Sequence, residues 1–173
     1  YDIGPTSNVQ WPVQMLCDPQ LNNDRRKIIL SSILKIYNST PLPLVVLHAG
    51  DGDIKNAKRV AKIAVNEEYY VPIWLLYVNS HSPVFLAIDE GDDDDQPIND
   101  FFSFDWVTEF SANRKLKLKN GSEAHFVIFK EVHKAYAENT DQNDKNAFSL
   151  YIQPALHFTN LLPVDAQCTI NVS

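Results

Sequence analysis

The chain has 173 residues, 45% of them hydrophobic, and a formal charge of −7, which leaves room for one domain with a substantial core or for one domain flanked by parts of two others. That charge argues against binding nucleic acid through its phosphates, which needs clustered Lys and Arg, and against simple electrostatic attachment to anionic lipid. Apolar runs such as "VPIWLLYV" (71–78) fall far short of the roughly 20 residues that span a bilayer as a helix.

In chain order, short runs with strand character alternate with turn residues. They are "VQWPVQML" (9–16), "KIILSSILKIY" (27–37), "LPLVVLHA" (42–49), "VAKIAV" (60–65) and "YYVPIWLLYV" (69–78). "PVFLAI" (83–88), "FFSFDW" (101–106), "KLKLK" (115–119), "HFVIFKEV" (125–132) and "FSLYIQ" (148–153) complete the set. "IKNAKRVAKIAV" is the best helical candidate, but its β-branched end favours a turn followed by a strand. Many short strands with Pro and Asn punctuation predict an all-β chain folded as an antiparallel β-sandwich. Pro12, Pro72 and Pro154 push their strands toward edges or bulges, where no ladder donor is required. Loops are expected at 49–56, 89–100 and 137–146, the second an acidic insertion in which Asp92 to Asp95 repel one another and stay solvated.

Side chains of a strand alternate between faces, so Leu156, Phe158 and Asn160 share one face, and Asn160 should look inward. A buried amide left unpaired costs on the order of 1–3 kcal/mol, so it persists only where it is hydrogen-bonded. Sliding the sequence back by 122 residues lays Asn160 on Asn38, Pro163 on Pro41, Leu156 on Leu34 and Phe158 on Ile36. Upstream, the same offset pairs Ile28 with Leu150 and Leu30 with Ile152. A repeat this long is a whole module. Residues 1–24 are then expected to end a preceding β module, 25–147 to form a complete β-sandwich module and 148–173 to open the next; a start at Tyr1 and an end in "CTINVS" suggest a piece of a longer polypeptide.

Motifs for chemistry are weak. Asp51-Gly-Asp53 begins like an EF-hand loop, but Lys62 stands where the bidentate Glu belongs, so that motif fails. Paired acidic loops at one end of a sandwich remain compatible with Ca²⁺ binding of the C2 type. His48, His81, His125, His133 and His157 show no metal-ligand spacing, no Ser lies in a GxSxG context, and the five glycines build no phosphate loop. No catalytic residue, metal site or cofactor is expected. Cys17 and Cys168 read as buried free thiols of a cytosolic protein. The sequons at Asn38, Asn120 and Asn171 read as chance, since an inward Asn38 cannot carry sugar. In "RKLKLKNGSE" (114–123) alternating lysines give a solvated face, and Lys on an edge blocks unwanted pairing.

"RRKIILSSILKIYNSTPLPLVVL", followed one module later by "LYIQPALHFTNLLPVDAQCTI", resembles the adaptor-binding region of the VPS13 family of bridge-like lipid transfer proteins. In that family a basic residue, a short β run ending in Ser and an apolar-x-apolar-x-Asn strand with a nearby Pro open each repeated β-sandwich module. Asn38 and Asn160 match the family's repeat asparagine, and "NLLPVD" resembles its wording at a module junction. The resemblance covers the chain from about Val9 to its end. It implies a targeting role: docking onto adaptor proteins that carry Pro-x-Pro motifs, contact with neighbouring modules of the same chain, and indirect association with organelle membranes at contact sites from the cytoplasm. Strand addition to a sheet edge would suit such docking. Because the family's peptide site belongs to particular modules of its array, the resemblance assigns no adaptor-contacting residue here. The two asparagines are expected to pin a loop or junction, with lining of an adaptor groove as the competing role. A C2-like lipid- or calcium-binding module and an extracellular Ig-like adhesion domain are the alternative functions.

Overall fold

The described residues of the computed structural model are 15–22, 25–49, 57–76, 83–91, 98, 100–134 and 146–156. Leu34, Ile36 and Asn38 are buried while Lys35 and Tyr37 between them are only partly covered, so the strand alternation read from sequence is the alternation observed. The elements are β1 (Met15–Asn22), β2 (Arg25–Ser32), β3 (Leu34–Asn38), β4 (Leu44–His48), β5 (Lys58–Ile63), β6 (Glu68–Tyr70), α1 (Ile73–Leu76), β7 (Val84–Ile88), β8 (Phe102–Phe104), β9 (Ser111–Lys117), β10 (Glu123–Lys134) and β11 (Asn146–Pro154).

The fold is an all-β sandwich. One sheet has five strands in the order β6-β3-β11-β10-β9, the other has four in the order β5-β4-β7-β8, and β1 pairs with β2 as a separate ribbon. Among the described residues every pairing is antiparallel except that of β3 with β11, which run parallel with Leu34 opposite Phe148 and Asn38 opposite Ile152. Leu34, Ile36, Leu150, Ile152, Phe126, Ile128 and Leu116 from the larger sheet meet Leu44, Val46, Ile63, Val84, Leu86, Phe102 and Phe104 from the smaller one. The alternate residues of β4, Val45 and Leu47, are buried too, against Ala87 and the partly buried Phe85, Ile98 and Phe101. β4 is therefore covered on both faces, which is why its sequence is an unbroken apolar run. At the β9–β10 turn Gly121 takes φ 82°, a left-handed conformation that glycine adopts without strain.

Several sequence expectations are corrected. The run 27–37 is not one strand: it breaks at Ile33, after which β2 and β3 belong to different sheets. The predicted strand 69–78 gives way after Tyr70, and Ile73–Leu76 are helical. Pro72 lacks the N–H that a ladder requires and is preset for a helix start, with its carbonyl accepting from Leu75 N at 2.9 Å. Cys17 is exposed, because the ribbon that carries it lies outside the sandwich. The turn-then-strand expectation for "IKNAKRVAKIAV" matches β5. The expectations for residues 9–14, 50–56, 92–97 and 137–145, and for Asn160, Cys168 and Asn171, lie outside the described residues.

Candidate functional site

Asn38 ends β3 where the chain crosses from the larger sheet to the smaller, and it is 1% exposed. Its Nδ2 donates to the carbonyls of Leu42 (2.9 Å), Ile63 (3.1 Å) and Ala64 (3.1 Å). Its Oδ1 accepts from Thr40 N (3.0 Å) and Thr40 Oγ1 (2.7 Å), and Thr40 Oγ1 in turn donates to Leu42 O (2.7 Å). The main chain joins in: Asn38 N donates to Glu67 O at 2.9 Å, and Asn66 N to Asn38 O at 2.8 Å. Asn66 stands at φ 61°, a conformation asparagine tolerates better than most residues. One amide thus closes two crossings between the sheets, 39–43 and 64–67. Asn38 lines none of the grooves described below.

Lys130 closes the opposite kind of corner, and sequence reading passed over it. Alternation along "HFVIFKEV" puts Lys130 on the inward face with Phe126 and Ile128, and that parity was the available signal. Its ammonium donates to the carbonyls of Trp106 (2.9 Å) and Val107 (3.1 Å) and lies 4.4 Å from the centre of the Phe110 ring. Burial lowers its pKa, partly countered by the Asp105 carboxylate.

Strand edges decide what this surface can bind. On β9 the Lys117 amide donates to the carboxylate of Asp100 (2.7 Å), and in the turn that follows the Lys119 amide donates to that of Glu90 (2.9 Å); exposed Lys115 and Lys117 add charge, so Asp100 and the lysines blunt that edge. β8 is tied to β9 through Arg114 Nε and Ser103 O at 3.1 Å. β5 is basic, and its Lys62 and Arg59 meet Asp89; burial alone would raise that carboxyl's pKa, but Lys62, the Gly91 N–H and Arg59 outweigh it and hold it low. Among the described residues β6 is bonded only to β3, and its last residue borders an open groove of about 510 Å³ lined by Met15, Leu30, Tyr70, Val71, Pro72 and Ile73 among others. Tyr70 is 44% exposed there. On the outer face of the larger sheet Tyr37, Tyr151 and Phe129 stack at successive centroid distances of 4.8 Å.

Among the described residues no three His, Cys, Asp or Glu side chains are grouped to hold a metal ion, and no helix is long and apolar enough to cross a membrane. Among the described residues, a sandwich with one edge blunted and an apolar, aromatic groove beside the end of another offers a surface that a second chain can meet. The family model described as Vacuolar-sorting associated protein 13, adaptor binding domain, matches residues 1–172, and the chain belongs to that family. Compared with curated proteins, the chain shows no match. As a member of the family it is an adaptor-binding domain, a type of domain that binds other proteins.

Proposed function

We propose that this domain recruits a VPS13-type lipid transfer protein to organelle contact sites by binding short Pro-x-Pro segments of adaptor proteins. The observation that supports it is the groove beside β6. An extended segment there meets Tyr70 at the end of a three-residue edge strand together with Pro72 and Ile73. Proline-rich segments favour aromatic-lined grooves because the chain is already extended and loses little entropy on docking. Asn38 then serves as a structural pin, holding β3 and the turn that leads into β6, and Asn160 is assigned the same role in the next repeat.

The test is a fluorescence anisotropy titration of a labelled Pro-x-Pro peptide with this chain, beside the same peptide with both prolines changed to alanine. Saturable binding that the alanine peptide lacks supports the reading, and Tyr70→Ala should weaken it about tenfold, or about 1.4 kcal/mol. Absence of binding by a chain that still melts cooperatively removes the adaptor site from these residues. In cells, the tagged chain should follow a Pro-x-Pro segment to whichever organelle displays it.

A further inference from the structure

The turn between β9 and β10 holds chemistry that edge capping does not use. Residues 119–122 are all exposed, and Asn120 is the one asparagine in the sequence that a glycine follows. Two main-chain bonds close the turn: Leu118 N donates to Ser122 O at 2.8 Å, and Gly121 N to Leu118 O at 2.9 Å. Inside it the Asn120 side chain folds back over the chain. Its Oδ1 accepts from Ser122 N at 2.9 Å and from Ser122 Oγ at 2.6 Å, the pairing that a short polar side chain makes two residues ahead.

An amide carbon is an electrophile, and the backbone nitrogen of the next residue reaches Cγ of an asparagine by closing a small ring. A side chain on that next residue hinders the approach. Gly121 has none, and beyond its chain neighbours no atom stands within 4 Å of where a Cβ would be. The oxygen that turns negative as the ring closes is Asn120 Oδ1, which already accepts from two donors, the arrangement that stabilises a developing oxyanion. The bond from Gly121 N to Leu118 O opposes the attack. It lies at the tip of an exposed hairpin, where local opening costs little, and the two contacts from Ser122 are local enough to outlast it.

We propose that Asn120-Gly121 is a self-modification site, where the turn deamidates with water as the only co-reactant and its isoaspartate product uncaps the end of β9. Gly121 N gives up its proton to solvent and bonds to Asn120 Cγ; the Cγ–Nδ2 bond breaks, and Nδ2 takes a proton from water and leaves as ammonia. Water then adds to one of the two carbonyls of the resulting succinimide, and the ring C–N bond opens. One product is aspartate, which keeps the turn. The other is isoaspartate, whose main chain runs through Cβ and Cγ and is one atom longer between Leu118 and Gly121. The two bonds that close the turn then lose their register, and the Lys119 amide is drawn off the Glu90 carboxylate. The inference stands apart from adaptor binding.

The experiment ages the whole folded chain in mildly alkaline buffer, then reads each asparagine by peptide mass spectrometry and isoaspartate by enzymatic methylation of its carboxylate. Asn120 should convert ahead of every other asparagine and give isoaspartate as well as aspartate. Ser122→Ala keeps the N–H donor and removes the hydroxyl, and should slow conversion roughly threefold; Gly121→Ala should slow it roughly tenfold. Both variants should melt close to the parent. In the separated isoaspartate form, amide hydrogen exchange should quicken at Leu118 and Lys119 and stay unchanged at Ile128 in the core. Earlier conversion of another asparagine, aspartate as the sole product, an undiminished rate in a folded Ser122→Ala chain, or unchanged exchange at Lys119 overturns the proposal.

Discussion

Asn38 is the residue whose chemistry is most fully spent, with both ends of its amide engaged in a region closed to water. Asn38→Asp keeps the shape but aims an anionic oxygen at the carbonyls of Leu42, Ile63 and Ala64. A loss of about 3 kcal/mol or more is expected from the unpaired and repelling buried groups, read by urea unfolding. That Asn38 points inward was legible from alternation; its partners were not, since Ile63 and Ala64 lie 25 and 26 residues away. Asp89 sets a pH dependence. Its carboxyl is held below the ordinary 3.8 by Lys62, Gly91 N–H and Arg59 against the opposing effect of burial, so its contribution is complete above that value and is lost as pH falls through the lower folded value. Stability should therefore drop below about pH 3.8, and Asp89→Asn should flatten that part of the profile, measured by thermal melts across pH.

β2 and β11 make a controlled pair: similar sequences, different surroundings. Ile152→Ala, in the core, should cost about 2–5 kcal/mol, while Leu30→Ala, its equivalent in the ribbon, should stay within about 0.5 kcal/mol. Chemical denaturation of the two variants checks the contrast, and equal losses would mean that the ribbon is packed in solution. The sequence showed strand character along 27–37 but not the break at Ile33, because apolar parity continues across it. Leu34 N donates to Ser32 Oγ at 3.2 Å and Ile33 O accepts from Phe148 N at 2.7 Å, bonds whose partners come from a bend and from a strand far along the chain. In "YYVPIWLLYV" the β-rich composition outweighed Pro72 in the reading, and the proline decided the structure.

For the molecule as a whole, β11 is central and the ribbon peripheral. Removing residues 1–32 should leave cooperative unfolding with a melting temperature within a few degrees of the parent. Removing residues 146–173 should abolish it, since β11 bridges β3 and β10 and carries Leu150 and Ile152 into the core. Calorimetry on the two truncated chains distinguishes these outcomes. The acidic stretch also gains a role at this level: of its flanks, Asp100 caps the end of the β9 edge and Glu90 the turn that follows, which leaves fewer places where a partner strand can add.

By itself the sequence determined the all-β class, the inward and outward faces of most strands, the repeat and, through the repeat, the resemblance to the adaptor-binding family. These follow from local alternation and from a fixed offset, both written along the chain. Tertiary structure alone decided that β3 pairs in parallel with a strand from the other end of the module, that Lys130 is buried on two carbonyls, and that Ile28 and Leu30 are exposed where Leu150 and Ile152 are not. Burial and hydrogen bonding depend on what lies across the sheet and between the layers, and no periodicity along one strand records its neighbour.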